Sequence, residues 1–176
     1  MPNPALQAGD FRLYVPGDNW VLTAISWGER VVGIDPKYAH VGFVLDPETE
    51  TAAYGNGVQS GPLNQLECDI LRPIWPEGGL EKAIAYARSL DGKEPYADLD
   101  LAYLAAIREF KLKHLPNFPA DKMICSEYGA YILLKGGLDL WPGIQPCAVA
   151  PGDYDGQPLL VNVGRWTPEA VPSGHL

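Results

Sequence analysis

Proline and glycine break this chain at such short intervals that long regular elements have little room to form. Nineteen glycines and seventeen prolines are spread through 176 residues. Turn chemistry at that density suits short strands and irregular connections better than a helical bundle. Between the breaks enough apolar residue remains for a core, because 47% of the chain is hydrophobic and 20% charged. That is the balance of a globular protein and not of a disordered one. At this length a single domain spanning 1–176 is expected, with its core at about 9–163 and an irregular tail.

Apolar periodicity between the breaks gives the element order. Asp10 to Val15 (DFRLYV) alternates apolar and polar residues and predicts a short strand. Asn19 to Trp27 predicts a short helix capped by Asp18 or Asn19. Tyr38 to Asp46 and Glu50 to Val58 are β-rich runs around Asp46-Pro47-Glu48-Thr49-Glu50, which reads as a hairpin. Asp69 to Pro73 is a further strand. Gly79 to Leu90 carries Leu80, Ala83, Ile84, Ala87 and Leu90 at helical spacing, an amphipathic helix stopped by Asp91-Gly92. Leu99 to Leu112 and Met123 to Leu134 predict two more helices, the second ended by Lys135-Gly136-Gly137. Pro158 to Val163 predicts a last strand. Strands first, then helices, then a closing strand is the order of an α+β fold.

The charge narrows the partners. A net charge of −9 and a pI near 4.7 argue against nucleic acid, which needs a concentrated basic surface. No basic run suits a membrane surface, and no stretch reaches the roughly 18 apolar residues of a membrane span. Met1 to Asp10 lacks the basic and apolar regions of a signal peptide, so a cytoplasmic location is expected by default, with a Sec-independent export route left open. Cys68, Cys125 and Cys147 are odd in number and spaced unlike any zinc motif. No disulfide framework, metal or cofactor is expected.

Two residues stand out chemically. Cys125 opens a predicted helix after the turn-rich segment Pro116 to Asp121, and the positive end of a helix dipole favours the nucleophilic thiolate. His40 lies in a strand between Ala39 and Val41, where a histidine needs a polar partner or a task. His114 sits in a lysine-rich helix end and His175 in the tail, so neither competes. If the hairpin pairs Leu45 with Thr51, His40 falls opposite Asn56, which would then orient the imidazole. Tyr54 and Glu50 are the other polar residues able to reach that face, and Asn56-Gly57 is also an ordinary turn signal.

The strings Tyr38 to Leu45 (YAHVGFVL) and Ile124 to Tyr131 (ICSEYGAY), with the early Gly9-Asp10, resemble the circularly permuted NlpC-type papain-like proteins. The likeness is closest to the YiiX/YebB-like group, related to the lecithin–retinol acyltransferase-like enzymes. Pro62-Leu63-Asn64, Asp91-Gly92-Lys93 with Pro95-Tyr96, and Pro151-Gly152-Asp153 extend it over roughly Gly9 to Val163. As in that group, the histidine strand precedes the cysteine helix.

The resemblance implies a small antiparallel sheet or half-barrel packed against the cysteine helix, with Cys125 as nucleophile and His40 as base. It also implies a third polar residue on the following strand. Many members place Glu there; this chain has no Glu that aligns without a gap, and Asn56 is the residue assigned. The implied activity is that of a cysteine peptidase or amidase on small peptides or peptidoglycan stem peptides, through a thioester. A lipid thioesterase or acyltransferase is the alternative, although no membrane-docking stretch is visible. A binding module with a decayed site is the other. Ser126 and Glu127 read as ordinary helix-start chemistry. Cys68 and Cys147 read as structural, and Trp20, Trp27, Trp75 and Trp141 as core or rim packing.

Overall fold

The computed structural model describes residues 2–16, 37–54, 57–92 and 124–168. The helices expected over Asn19 to Trp27 and Leu99 to Leu112, the residue Asn56, and Trp20, Trp27, His114 and His175 lie outside them. The strands are β1 (Phe11–Tyr14), β2 (His40–Asp46), β3 (Thr49–Tyr54), β4 (Gly57–Pro62), β5 (Cys68–Pro73) and β6 (Leu160–Trp166). The helices are α1 (Gly79–Leu90) and α2 (Cys125–Lys135), with two 3-10 turns at Pro146–Ala148 and Pro151–Tyr154. The strands form one antiparallel sheet in the order β4-β3-β2-β1-β5-β6. The class is α+β.

The expected hairpin is present, but its register is not the expected one. Asp46 accepts from the Glu48 and Thr49 amides at 3.0 Å each and from the Thr49 hydroxyl, so the turn closes around Pro47 and Glu48 alone. Asp46 therefore pairs with Thr49, and a bulge at Leu45 shifts the remaining pairs to Val44–Glu50 and Phe43–Thr51. Thr51 thus faces Phe43 rather than Leu45. The single strand expected over Glu50 to Val58 is two strands, β3 and β4, pairing Tyr54 with Gly57. The outer edge of β4 is bonded to the end of α1: Ser60 N–H donates to Asp91 at 2.8 Å, and Gly92 N–H to the Val58 carbonyl at 2.9 Å.

Alternation along the strands gives the sheet two buried faces. Phe11, Leu13, Val41, Phe43, Ala53 and Leu71 point to one face and form the main core with Ala83 and Ala87 of α1 and Tyr128, Ile132 and Leu133 of α2. Tyr14, Cys68 and Ile70 point to the other face, covered by Leu6, Leu66, Val163 and Trp166.

That second face also holds a charge. Arg12 is fully buried and Glu50 is 2% exposed, yet they form a 2.9 Å ion pair between β1 and β3. Every side of the pair is occupied. Glu50 also accepts from the Tyr14 hydroxyl at 2.5 Å and the Asn64 amide at 3.0 Å. Arg12 donates to the Asn64 carbonyl at 2.8 Å and to the Cys68 sulfur at 3.3 Å, and its guanidinium lies about 5 Å from both the Tyr14 and Trp166 ring centroids. A buried pair holds only when its remaining donors and acceptors are satisfied, as these are.

Breaking the pair from one side leaves a buried charge. Glu50→Ala or Arg12→Met alone should cost about 3–5 kcal/mol in urea unfolding. The Arg12→Met/Glu50→Ala double variant should cost at least about 1 kcal/mol less than the sum. Additive losses would show that the two charges are not coupled.

Candidate active site

Cys125 is the first residue of α2, and the helix starts without help from its own side chains. The N-cap is Ile124, in extended conformation, with no side-chain bond to the first turn. The intrahelical ladder begins with Tyr128 N–H to the Ile124 carbonyl at 3.0 Å, and the turn before that bond is where a helix offers N–H groups to an anion. Glu127 lies in this turn. Tyr154, from the second 3-10 turn, anchors the helix start by donating to the Ser126 carbonyl at 2.6 Å. The Ser126 hydroxyl is buried without a hydrogen-bond partner among the described residues.

Contacts along α2 locate its ends over the sheet. Tyr128 and Gly129 lie over the row Phe11–Phe43–Thr51: the Tyr128 hydroxyl is 3.2 Å from that of Thr51, and a Cβ on Gly129 would lie 3.2 Å from the Phe11 ring. At the other end a Cβ on Gly136 would run into the Trp75 ring, which also packs on Gly9, whose amide bonds the Val44 carbonyl at 2.8 Å. The helix therefore heads from the Phe43 row towards the Asp46 end of β2. Cys125, three residues before Tyr128, lies about 5 Å back along the axis in the opposite direction. That direction leads to the row where β2 begins with His40.

His40 pairs with Tyr14 and shares its side of the sheet, opposite the row that α2 covers. Extending the Phe43–Thr51 register by three residues brings Tyr54 across from His40. The rings agree: the imidazole lies 5.2 Å from the Tyr54 ring and 5.6 Å from that of Tyr14, tilted by 30° and 39°. Asn56 takes this place only on a Leu45–Thr51 pairing, which the turn and bulge remove. A shift of two residues leaves the facing unchanged and exchanges Asn56 for Tyr54.

His40 is 8% exposed, and its Nε2 is buried with no hydrogen-bond partner among the described residues. Burial alone pushes the imidazole down to about 4, so the ring is neutral near pH 7 and able to accept a proton. No hydrogen bond joins it to Cys125 among the described residues. Tyr54 is common to both: its ring lies on His40, and burial, then Glu50, then Cys125 push its phenol up to about 12.

The other cysteines differ. Cys68 is buried beside Arg12, and burial pushes its thiol up to about 11. Cys147 is half-buried in the first 3-10 turn. None of the three forms a disulfide. Trp75 and Trp141 both pack against the main core, Trp141 edge-on to Tyr154 at 4.9 Å. Among the described residues no cluster of His, Cys, Asp or Glu suits a metal ion, and no helix is long and apolar enough to cross a membrane.

No family model, curated protein or solved structure matches the chain. The likeness to permuted papain-like proteins rests on the residues quoted for it.

The buried imidazole has a stability signature. Its folded pKa, about 4, lies below the roughly 6.5 of an unfolded histidine, so between these values the unfolded chain binds the extra proton. Its contribution is complete above pH 6.5, declines as pH falls, and is gone below 4, a loss on the order of 3 kcal/mol. Urea midpoints at pH 7 and 4.5 should therefore diverge more in the native chain than in His40→Leu. An equal pH dependence in the two would place the ring in solvent.

Proposed function

We propose that the chain is a cysteine hydrolase of the permuted papain-like type, acting on amide bonds of small peptides, with peptidoglycan stem peptides as the first candidates. One convergence carries the proposal: a cysteine at an uncapped helix start and a buried neutral histidine lie toward the same end of the sheet, with the Tyr54 ring against the histidine. The helix dipole and first-turn N–H groups favour negative charge at Cys125, while the His40 ring is unprotonated near pH 7, and the thiolate's charge would offset the burial that lowers its basicity.

In the reaction, the Cys125 thiol proton passes to the His40 imidazole and the thiolate attacks the amide carbonyl carbon. The carbonyl electron pair moves onto oxygen, and the oxyanion is met by N–H groups at the start of α2. As the intermediate collapses, the C–N bond breaks, the imidazolium protonates the departing amine, and a thioester remains. Water then attacks the thioester while His40 takes its proton, releasing a carboxylic acid and restoring the thiol. Because His40 projects from the sheet face away from α2, the transfer requires Cys125 and His40 to meet past the end of the sheet where β2 begins, a contact completed in the substrate complex.

The test uses the whole chain. Iodoacetamide at pH 6, read by site-resolved mass spectrometry, should modify Cys125 at least about tenfold faster than Cys68 or the more accessible Cys147. His40→Ala should slow Cys125 labelling by about tenfold. Peptidoglycan fragments, short peptides and acyl thioesters are then offered to the native chain and to Cys125→Ala, with amide cleavage expected only from the former. Equal labelling of the three cysteines, indifferent to His40, would falsify the assignment. Thioester or phospholipid turnover without peptide cleavage would move it to the lipid-acting alternative.

A further inference from the structure

Four described tyrosines around the sheet and the start of α2 spend their hydroxyls on the fold. Tyr14 bonds Glu50, Tyr38 bonds Asp69, Tyr128 bonds the Ala87 carbonyl and Tyr154 bonds the Ser126 carbonyl. Tyr54 differs. Its hydroxyl makes no hydrogen bond among the described residues, although the ring is partly buried against His40. A half-buried phenol with an uncommitted donor, held across the strand from a buried imidazole, is placed for use rather than for packing.

We propose that Tyr54 is the third member of the site: its ring holds the His40 imidazole in plane, and its hydroxyl donates a hydrogen bond to the negative charge that forms at Cys125. This rests on Cys125 and His40 being the reacting pair, and it gives the orienting role to a residue that holds a ring by its face rather than by a hydrogen bond to a ring nitrogen.

Three observations support it. The register and the tilted rings, at 5.6 Å and 39° for Tyr14 and 5.2 Å and 30° for Tyr54, leave the imidazole in the row between them, flanked by an aromatic ring on each side. The direction of α2 brings Cys125 towards the end of β3 where Tyr54 lies. Burial, then the negative charges of Glu50 and Cys125, all disfavour the phenolate, so the phenol keeps its proton through the range in which the thiolate exists and remains a donor to it. Hydrogen bonding to an anionic sulfur stabilises the charged form and lowers the pKa of the thiol.

The two roles separate by substitution. Tyr54→Phe keeps the ring and removes the donor; Tyr54→Leu removes both. The pH profile of Cys125 alkylation by iodoacetamide between pH 5 and 9 is measured in the whole chain for the native form, both variants, His40→Ala and the Tyr54→Leu/His40→Ala double variant. Tyr54→Phe should shift the midpoint up by about one unit while leaving the His40→Ala effect intact. Tyr54→Leu should slow labelling beyond Tyr54→Phe by about the His40→Ala factor, and the Tyr54→Leu/His40→Ala double variant should be no slower than Tyr54→Leu alone. An unshifted midpoint in Tyr54→Phe refutes the hydroxyl's role, and additive losses in the double variant refute the ring's role. If Tyr54→Leu does not fold, Tyr54→Phe still decides the donor. Failure of the underlying assignment looks different: the native chain itself would show no preference for Cys125 and no response to His40→Ala, and the Tyr54 role would fall with it.

Discussion

The buried pair between Arg12 and Glu50 is the contact on which the sheet's second face depends. It ties β1 to β3 across the intervening β2, and through the Asn64 backbone, Cys68 and Trp166 it reaches the β4–β5 connection, β5 and β6. A cation and an anion shut away from water are costly alone, so the sheet can close over them only when all of these partners are in register. The network also sets the floor of the candidate site. The Tyr14 hydroxyl is held by Glu50 while its ring faces His40, so the ion pair fixes one of the two aromatic surfaces that confine the imidazole.

The elements were legible where local periodicity decides them. Gly79 to Leu90 reads as a helix from its apolar spacing and its Asp91-Gly92 stop, and α1 has those bounds. Cys125 was legible as a helix start, because the preceding turn residues and the following apolar face need no tertiary information. The hairpin register was not legible. It depends on one carboxylate, Asp46, closing the turn a residue early, and on one bulge at Leu45, and neither leaves a mark in the alternation of apolar residues. The error amounted to two residues, which preserved the face and misplaced the neighbour.

The candidate site was legible in its ends, and in its middle only as a choice, with Tyr54 one of two further polar residues able to reach the histidine's face. Cys125 and His40 drew notice because a thiol at a helix start and an imidazole in an apolar strand are each unusual locally. Tyr54 is an ordinary tyrosine in an ordinary strand, and what singles it out is a hydroxyl without a bond, which only a full account of donors and acceptors reveals. Glu50 was recognised as able to reach the histidine's face, but its main partner, Arg12, lies 38 residues away in sequence. Long-range ion pairs of that kind have no local pattern to read.

The fastening of β4 to the end of α1 has a consequence for the molecule in company. A strand with bare amides and carbonyls along its rim is a template on which another chain can lay its own backbone. Here Asp91 takes one outward amide and Gly92 fills one outward carbonyl, so a helix terminus occupies the place where a stranger's strand would begin to add. Loosening that terminus would bare the rim and make the protein prone to clump, so a loss of yield on mutating Asp91 would report first on the rim.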